Sequence, residues 1–297
     1  MTAEPPAFDP VAFKKTTREG WDAVAEAWDR WNPVLAAWFG PVTEAMLDMA
    51  RLRAGHKIVD VAAGAGEPGL TAAERVGPTG SVLATDLSAN ILAFADHAAG
   101  ERGVRNFATR AMDAERLELA DGAFDVALSR LGIIYCPDRR QALAEMRRVL
   151  RLGGRAVVAS FTTPDHNRFF AIPIGIIRRR VQLPPPASDQ PGPFSLGGPD
   201  VMAEALRQAG FGEVETDVIA CPLRLRSAVE CVRFQREAFG ALSQMLAGTS
   251  DAEQAAAWAE IEQELGQFEG SDGFVAPSEL IVGAGTNTAE PRAPATR

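Results

Sequence analysis

Three aspartates and a glycine-rich segment have the types and spacing needed to bind a nucleotide-like cofactor. The segment AAGAGEPG (62–69) directly follows the apolar run KIVDV and contains glycines in the pattern G-x-G-x-x-G. Asp60 lies within that run, and Asp86 and Asp113 follow later in the chain. This glycine pattern, with an acid about twenty residues further on, is typical of a dinucleotide-binding loop in which the acid binds a ribose. A dinucleotide site does not need an acid inside the preceding run, so the pattern alone leaves the cofactor open.

The elements that would position these residues alternate between strands and helices from residue 57 onward. Strands are predicted at 57–61, 81–86, 104–110, 124–130, 154–161, 213–220 and 278–285. The alternation predicts an α/β fold, in which a doubly wound, mostly parallel, seven-stranded sheet is covered by helices on both faces. In such sheets ligands bind beyond the carboxyl ends of the strands. The glycine-rich segment and the later aspartates are all expected at that edge.

The chain divides into five predicted segments. An amphipathic helix with Trp21, Val24 and Trp28 on one face indicates an N-terminal helical lid over residues 1–50. Residues 51–162 are predicted to form the cofactor-binding core. The predicted remainder is a proline-rich insert or lid at 163–199, the C-terminal part of the sheet at 200–285 with a helical substrate cap at 227–268, and a disordered tail at 286–297.

The amino-acid composition limits which partners the protein is expected to bind and in which cellular compartment it is expected to act. The formal net charge is −9, and a protein that wraps nucleic acid normally carries a basic stripe, so a nucleic-acid partner is not expected. No apolar run reaches the length of a membrane span, and the first residues do not resemble a signal peptide, which favours a cytoplasmic location. The three cysteines lack metal-site spacing, so no metal is expected. A homodimer is left open.

Five motifs in order resemble the class I S-adenosylmethionine (SAM)-dependent methyltransferases. They are an acid in the first strand, the glycine-rich loop, an acid ending the second strand, an aspartate after the third strand, and the turn LRLGG at 150–154. The segment WDAVAEAWD (21–29) is similar to the opening of the ubiquinone/menaquinone C-methyltransferase type. The resemblance covers roughly residues 20–162. The Arg-Asn pair of the quinone enzymes is absent after the fourth strand, which disfavours quinone precursors as substrates.

The resemblance implies a Rossmann-like methyltransferase fold with helical lid elements, and SAM as the cofactor. Asp60 would attract the methionyl ammonium directly or through water, and Asp86 would accept hydrogen bonds from the ribose. Asp113 would bind the adenine amino group, with Leu87 and Met112 against the ring. The remaining implied cofactor-binding residues are Ala62, Ala63, Gly64, Gly66, Ala114, Ser129 and Trp28. Gly69 is interpreted as incidental.

Two residues are candidates for the proton transfer that a phenol or carbon acid would require. His166, just beyond the fifth strand, is the first candidate for a general base, and Tyr135 is the second. The absence of a (D/N)PPY motif after the fourth strand disfavours methylation of amide or nucleobase nitrogens.

The preferred function is therefore methyl transfer to an oxygen or carbon atom of a small, largely apolar metabolite. Two alternatives remain open from the sequence. The glycine spacing and Asp86 would also suit an NAD(P)-dependent oxidoreductase. Because neither candidate for a general base is strongly supported by the sequence, a SAM-binding protein without transfer activity is the second alternative.

Overall fold

A computed structural model describes residues 8–183 and 190–288, and its strands form two sheets. The strands are β1 (Lys57–Val61), β2 (Ser81–Asp86), β3 (Phe107–Ala111), β4 (Phe124–Arg130), β5 (Leu150–Phe161), β6 (Gly212–Ala220), β7 (Leu223–Leu225), β8 (Glu269–Gly270), β9 (Gly273–Ala276) and β10 (Glu279–Thr286). The larger sheet has seven strands in the order β3-β2-β1-β4-β5-β10-β6. The smaller sheet has the order β7-β9-β8.

The large sheet is parallel except at β10. The pairs β1–β2, β2–β3, β1–β4 and β4–β5 are parallel, whereas β10 runs antiparallel to both β5 and β6. Since the strand order reverses at β1, the chain leaves a crevice beside the carboxyl end of that strand, as in other doubly wound sheets. The predicted seven-stranded, mostly parallel sheet is confirmed.

Helices cover both faces of the sheet. They are α1 (Pro10–Arg30), α2 (Asn32–Met49), α3 (Gly69–Val76), α4 (Ala89–Glu101), α5 (Arg139–Val149), α6 (Arg168–Arg180), α7 (Val201–Gln208), α8 (Ala228–Ala238), α9 (Gly240–Met245) and α10 (Asp251–Leu265). Side-chain caps begin several of them: Ser88 accepts from the Ile91 N–H at α4, and Asp138 accepts from the Gln141 N–H at α5.

The two faces of the sheet pack against different helices because side chains alternate along each strand. Ile58 and Leu128 belong to a hydrophobic cluster shared with α1, α2, α3, α6, α8, α9 and α10. Val59 and Ala127 point the other way and pack with α5 and α7. The first face therefore carries nearly all the helices that lie outside the predicted core segment.

Two predicted segment boundaries differ from the structure. The proline-rich insert at 163–199 contains the regular helix α6, with Pro173 inside it. Strand β10 continues through Thr286, and the buried Asn287 donates to the Leu150 carbonyl, because the end of this strand is tied to the start of β5. The rest of the predicted tail, residues 289–297, lies outside the described residues, as do residues 184–189 of the insert.

The N-terminal and C-terminal helices meet around buried aromatic side chains. Trp38 is stacked on Phe39 and lies edge-on to Phe169, with ring centroids 4.1 and 5.0 Å apart. Its indole N–H donates to the Cys221 carbonyl at 2.8 Å. Across residues 8–183 and 190–288, none of the helices is long and apolar enough to cross a membrane.

Candidate active site

A cavity opens at the carboxyl ends of β1, β2 and β4. It encloses about 1370 Å³ of empty space, including the part open to solvent. One wall is the glycine-rich segment and the ends of β2 and β3, and the opposite wall is built by α1 and α2. The crevice expected from the strand order is therefore enlarged and covered by the N-terminal helices.

The glycine-rich segment turns sharply because its backbone uses left-handed conformations. Gly64 and Gly66 have φ angles of +56° and +110°, and Ala62 also has a positive φ of 55°. A Cβ on Gly66 would lie 2.8 Å from Leu70 Cδ1, so this position requires glycine for space as well. Ala62, Ala63 and Gly64 line the cavity, whereas Gly66 packs beneath the loop and does not.

Asp86 connects the end of β2 to the loop. Its carboxylate accepts hydrogen bonds from the Gly64 N–H at 3.0 Å and from the Ser88 N–H at 2.9 Å. Burial raises the pKa of this carboxyl, and the hydrogen bonds from the backbone oppose that shift. Asp86 and its neighbour Leu87 both line the cavity, as the sequence predicted.

Asp60 lies in β1 beneath the loop, and its expected attraction of the methionyl ammonium through water stays a prediction. It is fully buried, and its Oδ2 atom accepts a hydrogen bond from the Gly69 N–H at 2.8 Å. Within the described residues, Oδ1 has no hydrogen-bond partner. Asp60 does not line the cavity, so the structure gives it no direct contact with a ligand there. The carboxylate instead ties the start of α3 to β1.

Gly69 does not line the cavity, but it has a packing role. A Cβ on this residue would lie 2.8 Å from Asp60 Oδ2 and 3.2 Å from Phe107 Cε2. The sequence did not reveal this role, because the contact joins residues nine positions apart.

The buried state of Asp60 predicts an unusual dependence of stability on pH. Burial raises its pKa to about 8, although the charge of Arg130 and the Gly69 N–H oppose the shift. Between pH 4 and pH 8 the folded protein keeps a proton on this carboxyl that the unfolded chain has lost. The Asp60 contribution to stability is thus complete below pH 4 and is lost as pH rises through 8.

We therefore expect Asp60→Asn to reduce the fall in melting temperature between pH 6 and pH 9, measured by differential scanning calorimetry. Asp125→Asn is the matched control. Although burial opposes it, the Lys57 N–H and Arg151 hold the pKa of Asp125 below its usual range, so this group stays ionised at both pH values. An equal fall in wild type and Asp60→Asn would contradict the expectation.

Asp113 and Met112 lie where the adenine end was expected, but an additional residue meets them there. Lys14 on α1 is 2.7 Å from Asp113 Oδ2 and 2.5 Å from Glu115 Oε2. Met112, Asp113, Ala114 and Lys14 all line the cavity. The role of Lys14 was missed because α1 is distant in sequence and its approach to β3 depends on tertiary packing.

Trp28 lies at the cavity and is also a packing residue. Its indole N–H donates to the Ala238 carbonyl at 2.8 Å, and its ring lies edge-on to Trp21 at 5.2 Å. Both tryptophans line the cavity. The Trp21 ring also lies edge-on to Tyr135 at 6.0 Å.

Besides Asp60 and Gly66, two more predicted site residues, Ser129 and His166, do not line the cavity. Ser129 is fully buried, and its hydroxyl accepts from the Ile133 N–H at 3.3 Å, which stabilises the turn after β4. The His166 side chain is 59% exposed, and its Nδ1 atom lies 2.9 Å from Glu279 Oε1. Because His166 is exposed, paired with Glu279 and absent from the cavity lining, the geometry does not support it as the general base.

Replacement of His166 by alanine should accordingly leave methyl transfer within about twofold of the wild-type rate, because surface substitutions away from a site change little. The measurement is transfer of isotope-labelled methyl groups from SAM at pH 7.5. His97→Ala, another exposed histidine, on α4, serves as the control. A loss of more than about tenfold in His166→Ala alone would restore the histidine as a candidate.

Tyr135 does line the cavity, but its ionisation is unfavourable. Burial raises the pKa of the phenol well above its usual range. A tyrosine in this state is suited to donate a hydrogen bond and is poorly suited to remove a proton.

Arg130, at the end of β4, is the residue that the sequence analysis missed altogether. Arg130 lines the cavity, its guanidinium carbon lies 5.1 Å from the centroid of the Phe39 ring, and its Nη1 atom donates to Thr43 Oγ1 at 2.7 Å. Burial lowers its pKa, and the nearby acidic residues Glu67 and Asp60 oppose that shift. The only signal in the sequence was a basic residue at a strand end.

Comparison with protein-family models gives a match over residues 13–172 to the ubiE/COQ5 methyltransferase family. Nocamycin O-methyltransferase from Saccharothrix syringae is 31% identical over 185 residues, which cover 59% of this chain and 66% of that protein. Aklanonic acid methyltransferase DauC from Streptomyces sp. (strain C5) is 30% identical over 153 residues, which cover 52% of this chain and 67% of that protein. The ubiquinone/menaquinone biosynthesis C-methyltransferase UbiE from Cellvibrio japonicus is 33% identical over 126 residues, which cover 42% of this chain and 50% of that protein. The chain thus spans half to two thirds of the length of these relatives.

Solved structures share the fold. YcgJ from Bacillus subtilis superposes with a TM-score of 0.55 at 19% identity, covering 83% of this chain and 98% of that one. A methyltransferase-like chain from Haloferax volcanii, solved with the activator Trm112, gives a TM-score of 0.56 at 18% identity, covering 93% and 99%. At such identities the likeness extends to the arrangement of the strands and helices alone.

Proposed function

This chain belongs to the ubiE/COQ5 family of SAM-dependent methyltransferases, and on that premise we propose that it moves a methyl group from SAM to an oxygen or carbon atom of a small, largely apolar metabolite. The observation that carries the proposal is a single cavity in which the loop and Asp86 face an aromatic wall. The resemblance recognised from the motifs is confirmed by the family match.

The residues present fit SAM as the cofactor. Asp86 offers a carboxylate to ribose hydroxyls, Met112 and Leu87 offer apolar surfaces to an adenine ring, and the Gly64 backbone is open to the methionyl end. The cofactor supplies a methyl group on a sulfonium centre, which needs alignment more than activation. The chain's part is to bind, to orient and to exclude water.

The wall opposite the loop supports an apolar acceptor. It is formed by aromatic and aliphatic side chains from α1, α2, β5 and the segment after α8, namely Trp28, Leu35, Phe39, Phe161 and Phe239. Apolar walls with few polar groups are typical of small-molecule sites. An acceptor bound there would lie beside the loop, where the methyl group is expected.

The rival functions differ in their support. The match is to methyltransferases, and nothing in the comparisons favours the NAD(P)-dependent oxidoreductase. The nocamycin enzyme is named as an O-methyltransferase and DauC as a methyltransferase of aklanonic acid, whereas UbiE is named as a C-methyltransferase. We keep both target atoms in the proposal, and quinone precursors remain disfavoured.

Native mass spectrometry of the purified protein with SAM, S-adenosylhomocysteine, NAD and NADP tests the proposal. We expect binding of the first two at micromolar concentrations and no binding of the dinucleotides. A methyl-transfer assay over a metabolite panel then separates an enzyme from a binding protein. Binding of NAD(P) without SAM would overturn the proposal.

Three further expectations concern the cellular location, the partners and the oligomeric state of the protein. We propose a cytoplasmic location and a small-molecule acceptor with no nucleic-acid partner, and we leave a homodimer to be decided by light scattering coupled to size-exclusion chromatography. Binding of duplex DNA or RNA at physiological salt would contradict the second expectation.

A further inference from the structure

Arg130 is a half-buried cation with unused hydrogen-bonding capacity. A guanidinium has five N–H donors. Within the described residues this one forms a single hydrogen bond, to Thr43, and no ion pair with a carboxylate. A charge held partly out of water is costly without an anion, so its presence in a cavity indicates a ligand that completes it.

The two nearest acidic residues do not supply that anion. The Glu67 carboxylate accepts from the Thr71 hydroxyl at 2.8 Å and forms an ion pair with Arg102. Asp60 lies on the same face of the sheet as Arg130 and is mostly protonated at pH 7, since burial raises its pKa to about 8. The positive charge of Arg130 is therefore available to the cavity.

The order of the strands places Arg130 on the acceptor side of the loop. Asp86 and Met112 follow β2 and β3, on one side of β1, whereas Arg130 ends β4 on the other side. Its guanidinium lies against Phe39, which belongs to the aromatic wall. A group bound to Arg130 would thus belong to the molecule that occupies the apolar part of the cavity.

Within the described residues no histidine lines the cavity, and the carboxylates of Glu67, Asp86 and Asp113 are already engaged by hydrogen bonds from the protein. An acceptor that needs no base therefore fits this cavity best. An acceptor oxygen that is already ionised at neutral pH needs no base, and a carboxylic acid, with a pKa near 4, is such an acceptor.

We propose that the methyl acceptor is a carboxylate, that Arg130 binds this carboxylate, and that the product is its methyl ester. The inference rests on the methyl transfer proposed above and names its substrate class. One carboxylate oxygen forms a bond to the methyl carbon while the carbon–sulfur bond breaks, the electron pair goes to sulfur, and no proton is transferred. Arg130 orients the carboxylate through a forked pair of N–H donors.

The test uses matched probe molecules built on three apolar scaffolds: naphthalene, anthraquinone and a twelve-carbon alkyl chain. Each scaffold carries a carboxylate, a carboxamide or a hydroxyl group. Binding to the complex with S-adenosylhomocysteine is measured by isothermal titration calorimetry, and methylation by mass spectrometry. We expect at least one carboxylate to bind more tightly than its amide and to give a methyl ester.

Three variants assign the effect to Arg130. Arg130→Gln should weaken the carboxylate probe roughly ten- to hundredfold, because a hydrogen-bonded charge pair is lost, and should leave the amide unchanged. Arg130→Lys should recover part of this loss. Arg233→Gln is the matched control, since Arg233 also lies over an aromatic ring, that of Trp31, but does not line the cavity.

The outcomes separate this inference from the proposed function. Failure of S-adenosylhomocysteine to bind would reject the methyltransferase proposal itself. Normal binding of S-adenosylhomocysteine, with no carboxylate preferred over its amide, would reject the carboxylate inference alone. A loss of S-adenosylhomocysteine affinity in Arg130→Gln larger than the loss for the carboxylate probe would also reject it, because Arg130 would then serve the methionyl carboxylate of the cofactor.

Discussion

Replacing Asp86 by alanine should weaken binding of S-adenosylhomocysteine by about a hundredfold or more. The carboxylate is the charged acceptor expected for the ribose, and hydrogen bonds to a charged group contribute about 1.5 to 3 kcal/mol each. It also fixes the loop, because it accepts from the Gly64 and Ser88 N–H groups at 3.0 and 2.9 Å. The substitution therefore removes a ligand contact and the support of the loop together.

Isothermal titration calorimetry measures this loss, and Asp96→Ala provides the control. Asp96 accepts a hydrogen bond from the Thr109 hydroxyl at 2.7 Å on the exposed side of α4 and does not line the cavity. Asp86→Asn should fall between wild type and Asp86→Ala, since an amide offers a single acceptor oxygen. An affinity for Asp86→Ala close to that of wild type would show that the cofactor does not occupy the β2 end of the cavity.

Gly69→Ala should lower the free energy of unfolding by about 1 to 3 kcal/mol, the range typical of overpacking in a core. The added Cβ would lie 2.8 Å from Asp60 Oδ2 and 3.2 Å from Phe107 Cε2. Relief of the closer contact requires the Asp60 carboxyl or the start of α3 to shift, which would weaken the Asp60–Gly69 hydrogen bond. Urea unfolding followed by circular dichroism measures the change.

A glycine in open space gives the control for this substitution. Gly100 lies in α4, and a Cβ added there would have no atom of another element within 4 Å, so Gly100→Ala should be neutral or stabilising, as is usual for alanine in a helix. The double variant Asp60→Ala/Gly69→Ala should cost less than the sum of the two single variants, because the clash disappears with the carboxylate. Strictly additive costs would contradict the steric explanation.

The sequence predicted those features that depend on residues close together in the chain. The glycine-rich loop, the acid ending β2 and the strand–helix alternation each follow from local pattern, and the cavity lies at the predicted sheet edge. The residues that the sequence pattern did not predict are those whose contacts at the cavity join elements distant in the sequence. Lys14 reaches Asp113 across 99 positions, and Arg130 meets Thr43 across 87.

His166 and Asp60 lie outside the cavity lining for a common physical reason. His166 was chosen for its type and its place after a strand, yet its exposed side chain pairs with Glu279. Asp60 was expected to attract the methionyl ammonium directly or through water, and its buried side chain accepts from Gly69, so the route through water stays a prediction. In both cases the direction of the side chain depends on packing that the sequence does not display.

The position of β10 has a consequence for how the chain is synthesised. Strands β1 to β5 can pair as they emerge from the ribosome, but the partner of β5, which ends at Phe161, begins only at Glu279. Until then one edge of the parallel sheet is bare, and β6 has no place to attach because β10 alone pairs with it in the described sheet. Completion of this sheet therefore waits until residues 279–286 have left the ribosome, and a nascent chain stalled before residue 279 would carry an exposed, aggregation-prone edge.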